Sequence, residues 1–128
     1  MPVRGIRGAA QASTDTPEAI LQSTRRLLTA LLETNPTLQP EDIASIFFTV
    51  TGDLNAAYPA QAAREMGWCS VPLMCSREIS VPGSLPRCIR ILIHWNTEQP
   101  QSSIHPVYLG AAATLRPEFG REDVYCKD

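Results

Sequence analysis

Cys88-Ile89-Arg90-Ile91-Leu92-Ile93-His94-Trp95 is the stretch from which the fold can be read. Strand alternation puts Ile89, Ile91, Ile93 and Trp95 on one face and Cys88, Arg90, Leu92 and His94 on the other. The first face is wholly apolar and predicts a strand packed against a core. The second carries a guanidinium that cannot lose its proton, and burying such a charge unpaired is costly. Something anionic must therefore meet Arg90. It is either a carboxylate of the same chain, in a structural salt bridge, or a ligand.

A second arginine raises the interest of the ligand. The N-terminus reads Val3-Arg4-Gly5-Ile6-Arg7-Gly8-Ala9, a strand-like segment in which Val3, Gly5, Arg7 and Ala9 share a face. Glycines beside Arg7 let another backbone or a ligand approach closely. Two strand-borne arginines among small neighbours suit a small molecule with more than one carboxylate, because the planar guanidinium fork binds carboxylate through two parallel hydrogen bonds. Arg25, Arg26 and Arg121 lie in helix or tail positions with nothing near them in sequence to suggest a site.

Outward from these strands, Thr16-Pro17-Glu18 is an N-cap, a proline at the first helical position and an acid in the first turn. The helix they open places Ile20, Thr24, Leu27, Leu28, Leu31 and Leu32 on one stripe and ends near Thr34-Asn35-Pro36. Gln39-Pro40-Glu41-Asp42 starts a short helix leading into Ile46 to Val50, a buried-type strand. Tyr58-Pro59 opens an alanine-rich helix that runs to Met66 and stops at Gly67. Val71 to Cys75 is a strand that Pro72 assigns to an edge. A final strand is expected over Val107 to Leu115. The order strand, helix, strand, helix, strands gives an α+β class with a mixed sheet and two main helices. The helices can cover one sheet face. The face bearing Arg90 and His94 lacks cover, and oligomerisation is the simplest way to supply it.

The 128 residues make one domain, expected over 1–117, with a loose tail over 118–128. A formal charge of −2 argues against nucleic acid as the main partner. No apolar run approaches a membrane span, and the first residues carry no apolar leader core, so a cytoplasmic location is expected. Cys69, Cys75, Cys88 and Cys126 follow no C-x-x-C spacing, and His94 and His105 complete no zinc pattern. The sequence holds no P-loop and no Rossmann fingerprint.

Taken together, Val3 to Ala9, Asp53-Leu54, Tyr58-Pro59-Ala60 with Arg64, Gly67-Trp68, Val71-Pro72 with Cys75 and Glu78, Cys88-Ile89-Arg90, Val107-Tyr108-Leu109 and Leu115-Arg116-Pro117 resemble the monofunctional bacterial chorismate mutases of the trimeric, pseudo-α/β-barrel type. The resemblance spans eight segments in the right order, which makes it far more specific than any one of them. It implies a homotrimer with sheets inside and helices outside, three sites at subunit interfaces, no cofactor and no metal, and the rearrangement of chorismate to prephenate on the way to phenylalanine and tyrosine.

By this resemblance Arg90, Glu78 and Arg7 are the catalytic residues. Arg90 would donate to the ether oxygen, Arg7 and Tyr108 would hold the side-chain carboxylate, and Glu78 would accept from the ring hydroxyl with Cys75 beside it. Tyr58, Ala60, Leu73, Met74 and Leu115 would form walls, and Arg64 and Arg116 would supply a positive field at the mouth. Cys75 and Glu78 are three apart and face opposite ways on a straight strand, so both can line one site only if the chain turns between them. From the residues alone, Cys75 is equally a small buried hydrophobe, Glu78 a salt-bridge partner of Arg77 or Arg87, and Tyr108 a packing tyrosine. Gln61, Tyr58 and Met74 stand where the family usually has lysine, phenylalanine and threonine, which bears on affinity and rim charge rather than on the reaction. The main alternative is a non-catalytic trimeric module for an anionic metabolite. It would keep the arginines without needing Glu78 opposite them.

Overall fold

The Arg90 strand lies at the centre of the sheet. In a computed structural model describing residues 1–115, five strands run in the order β3-β2-β4-β1-β5. They are β1 (Val3–Gln11), β2 (Ile43–Val50), β3 (Leu73–Arg77), β4 (Cys88–Asn96) and β5 (Val107–Tyr108). The helices are α1 (Pro17–Thr34) and α2 (Ala60–Glu65). β4 is antiparallel to both β1 and β2, whereas β3 and β5 are parallel edge strands, so the sheet is mixed. Pro72, just before β3, costs no ladder bond at that edge.

α1 begins as its sequence dictates. The Thr16 hydroxyl accepts from the Ala19 backbone N–H at 3.2 Å, and Pro17 occupies a first-turn position where its missing N–H is not needed. Ile20, Leu27, Leu28 and Leu31 are fully buried beneath the sheet, and the buried Thr24 hydroxyl is satisfied by the Ile20 carbonyl at 2.7 Å. The main core joins Leu27, Leu28 and Leu31 to Ile6, Ile46, Phe48, Ile91, Ile93 and Trp95, while Ile20 packs with Ala12, Leu54 and Ile89. α2 buries only Ala60, Ala62 and Ala63 and ends at Gly67, whose φ of 91° is open to glycine without strain.

Asn35, at the end of α1, hydrogen-bonds both the N–H and the carbonyl of His105 (3.0 and 2.9 Å) and so ties the chain leading into β5 to the helix. β5 is shorter than the expected Val107 to Leu115. Only Gly8–Val107 and Ala9–Tyr108 pair; Gly110 then takes a φ of 56°, and Gly110–Thr114 closes into a 3-10 turn.

Gly8 takes the first of the two roles its sequence allows, the close approach of another backbone. A Cβ there would lie 3.0 Å from Ile91 Cγ2, 3.1 Å from Leu27 Cδ1 and 3.1 Å from the Val107 carbonyl. The glycine makes room for α1 and β5 on the helix-covered side, not for a ligand. Gly8→Ala is therefore expected to cost about 1–3 kcal/mol through overpacking. Because Val107 O is backbone, the added methyl also pushes β5 outward with Tyr108. Thermal melts should show the loss, and a raised KM should accompany it.

Candidate active site

Register decides which side chains meet. On the face away from the helices, Thr49 pairs with Ser76 on one side and Arg90 on the other, and Ala9 pairs with Arg90 and Tyr108. The result is a row Ser76–Thr49–Arg90–Ala9–Tyr108 across all five strands. Ala9, fully buried, is the small residue that lets Arg90 and Tyr108 stand over a common floor. The next row is Met74–Phe47–Leu92–Arg7, and beyond it Ser45, His94 and Gly5 are aligned. The Ser45 hydroxyl lies 3.1 Å from His94 Nδ1, and the Phe47 ring meets the imidazole edge-on.

Glu78 joins the first row from just past β3. Its N–H donates to the Val50 carbonyl at 3.0 Å, and its Oε2 accepts from the Thr49 hydroxyl at 2.6 Å and lies 3.6 Å from Arg90 Nε. Its partner is thus Arg90, not Arg77 or Arg87. In the single chain Arg90 is not buried: its side chain is 48% exposed. Behind it Cys88 is buried among Ala9 and Ala112, and burial pushes the Cys88 thiol up, against the charge and hydrogen bond of Arg90.

The start of β4 is locked two residues earlier. The Asp53 carboxylate accepts the Arg87 N–H at 2.9 Å and the Thr51 hydroxyl at 2.6 Å, and the Cys88 N–H donates to Thr51 Oγ1 at 2.9 Å. Chiefly through the Thr51 hydrogen bond, the Asp53 carboxyl is held below its usual range. This clamp also holds Arg87 at a φ of 50°.

A concavity of about 270 Å³ lies over the row, lined by Arg7, Gly8, Phe47, Thr49, Glu78, Arg90, Ile91, Leu92, Tyr108 and Leu115. The structure thus brings together Arg7, Arg90, Glu78, Tyr108 and Leu115 of the residues expected from sequence. The remainder lie elsewhere. Cys75 pairs with Phe48 and so faces the helix side, where it shares a second concavity with Tyr58 and Gln61. Burial pushes its thiol up, opposed by a backbone hydrogen bond with Ala60 and by the Arg64 charge, which places α2 beside it. Leu73 packs on the main core, Ala60 is buried in it, and Met74 stands 61% exposed on the open face. Arg116 and the tail over 118–128 lie outside the described residues. Cys75 and Glu78 therefore sit on opposite sides of one sheet, as their spacing requires.

Thr49, Phe47 and Leu92 line the first concavity without having been singled out in sequence. The signal was present in β2, where Ile46 and Phe48 point inward and Phe47 and Thr49 outward, but only the register with Arg90 gives it meaning. Among the described residues no group of three or more His, Cys, Asp or Glu gathers as metal ligands would, and no helix is long and apolar enough to cross a membrane.

Against known proteins, the family model "Chorismate mutase type I" matches residues 3–119. The chain is 54% identical over 117 residues to the chorismate mutase AroH of Thermus thermophilus, covering 91% of this chain and 96% of that protein. It is 44% identical over 120 residues to the chorismate mutase AroH of Bacillus subtilis, covering 93% and 94%. A solved chorismate mutase from Clostridium thermocellum superposes with a TM-score of 0.83 at 50% identity, over 86% of this chain and 97% of that one. A sheet row of arginine, tyrosine and carboxylate, in a fold and sequence shared across nearly the full length of these enzymes, leads to one conclusion: the chain belongs to the type I chorismate mutase family.

Proposed function

We propose that the row Thr49–Arg90–Ala9–Tyr108, with Arg7 and Glu78, is the catalytic half of a chorismate mutase site, and that a neighbouring copy in a homotrimer supplies the other half. The reaction is the rearrangement of chorismate to prephenate, in which the ether C–O bond breaks as a C–C bond forms. No nucleophile or general base is needed. The protein must hold a flexible dianion in its compact, chair-like conformer and stabilise the charge that grows on the ether oxygen.

The observation that carries this reading is the meeting of two guanidinium groups and a phenol on one floor with a single carboxylate opposite. Arg90 donates to the ether oxygen and helps hold the side-chain carboxylate, which Arg7 and Tyr108 also bind. Glu78 accepts from the ring hydroxyl and favours the positive partial charge left on the ring. Leu115 forms a wall.

The rest of the site comes from another copy: Cys75 beside Glu78 and Tyr58 as a wall, both from its second concavity, with Ala60, Leu73 and Met74 as further walls and the fields of Arg64 and Arg116 near the ring carboxylate. Three features support this. Cys75 and Tyr58 lie across the sheet from Arg7, Arg90 and Glu78, beyond the reach of one small molecule in one chain. The first concavity, about 270 Å³, is smaller than the roughly 300–1,000 Å³ usual for a small-molecule site. The open face also leaves Val3, Phe47, Met74 and Leu92 exposed at 53, 41, 61 and 37%, an apolar patch that marks an interface. The free thiols Cys69, Cys75 and Cys88 fit a cytoplasmic location.

Complementation tests the shared site. Arg90→Ala spoils one half, and Arg64→Glu, at an exposed helix position, spoils the other by setting a carboxylate against the dianion. Neither variant alone should turn over chorismate appreciably. Co-expressed copies should recover about a quarter of parent activity if trimers mix at random and sites span copies. If the mixture stays as inactive as its parts, both halves lie in one chain and the trimeric site is wrong.

A further inference from the structure

The Thr49 hydroxyl was given no role in the chemistry above, yet it makes a 2.6 Å hydrogen bond to Glu78, the carboxylate that lines the concavity among the described residues. We propose that Thr49 is a positioning residue: it pins Glu78 through Oε2, so that Oε1 is presented to the ligand and Arg90 stays available to the ether oxygen. This rests on the role given to Glu78.

Glu78 needs such a device because of where it sits. Its backbone is anchored to Val50, but the next residues leave the sheet, with Ile79 83% and Val81 57% exposed. Its side chain is 28% exposed and has three rotatable bonds whose freezing opposes a fixed pose.

Two groups could hold it, and distance decides between them. Arg90 Nε at 3.6 Å is beyond a good hydrogen bond, whereas a hydroxyl at 2.6 Å from a carboxylate oxygen falls in the short, charge-assisted class. Among the described residues both contacts fall on Oε2. Thr49 is itself held in the β2 ladder between Arg90 and Ser76, and its β-branch restricts χ1. A neutral donor is also the right choice here. Without it the carboxylate would close on Arg90 as a tighter ion pair and occupy the donors that the ether oxygen needs.

Steady-state kinetics of Thr49→Val and Thr49→Ser, each alone and on a Glu78→Ala background, test the proposal. Loss of a hydrogen bond to a charged group predicts a fall in kcat of about 10-fold or more for Thr49→Val, with Thr49→Ser within about twofold of the parent. With Glu78 already removed, Thr49→Val should change kcat by less than about twofold. Unchanged melting temperature and oligomer mass would certify the fold, and Thr49→Ala serves the same comparison if valine is not accommodated. Parent-like kcat in Thr49→Val, equal damage by serine and valine, or the same loss with and without Glu78 each overturns the proposal. Parent-like turnover in Glu78→Ala overturns the role of Glu78 and this inference with it.

Discussion

Replacing Arg90 by alanine is expected to lower chorismate turnover by about 10²–10³-fold while leaving the melting temperature nearly unchanged. The two effects separate because they rest on different magnitudes. A donor aimed at charge that develops in the transition state is worth about 3–4 kcal/mol. The Arg90–Glu78 ion pair, 3.6 Å apart with an arginine side chain 48% exposed, contributes at most about 1 kcal/mol to folding. Arg90→Lys should recover only part of the rate, since an ammonium supplies charge but not the planar fork that serves ether oxygen and carboxylate together. Arg7→Ala removes a carboxylate contact made in both ground and transition states, so it should act mainly on KM. Steady-state kinetics with product identification by NMR measure all three. If Arg90→Ala stays within a few-fold of the parent, the row is not the reacting centre.

What could be read in the sequence was what local chemistry enforces. The β4 alternation was legible because its two faces differ so sharply, four apolar residues against a mixed set with Arg90, and the observed burial of Ile89, Ile91, Ile93 and Trp95 follows it. Thr16-Pro17-Glu18 was legible because a cap acts within one turn. Val107 to Leu115 misled because its apolar residues are strand-like in composition. The ladder ends after Tyr108, where Gly110 adopts a left-handed φ and three alanines close a 3-10 turn, a choice made by local backbone geometry rather than by hydropathy.

The site was legible as residue types and not as an arrangement. Arg90 announced itself because a charge in an apolar strand demands an explanation, and its face lacks cover within one chain as the sequence led us to expect: about half of its side chain stays in water. Thr49 is an ordinary residue until β2 and β4 are set in register, when it falls between Arg90 and Glu78. Cys75 and Glu78 could be named together from resemblance, yet period-two geometry separates them within a chain. Pairing register and face are long-range properties, so the sequence holds them only implicitly.

Phe47→Asp is the substitution expected to abolish assembly and, with it, activity. Phe47 lies between Met74 and Leu92 in the second row of the open face, 41% exposed, with its ring edge-on to His94. Covering a phenylalanine fully is worth about 1.5–3 kcal/mol, and trapping an unpaired carboxylate in its place costs several more. Each contact thus loses about 4–6 kcal/mol, which weakens it by about 10³–10⁴-fold. Light scattering should therefore report a single-chain mass where the proposed trimer of the parent gives three times that mass, and turnover should fall below that of Arg90→Ala because every proposed site loses its second half. Phe47→Leu, which keeps the face apolar, should keep the trimer. The monomer itself should remain folded, since the Phe47 side chain leaves the helix-covered core untouched; circular dichroism checks this. A Phe47→Asp protein that is still trimeric would show that this face is not what the copies share, and the two halves of the site would have to meet across another surface.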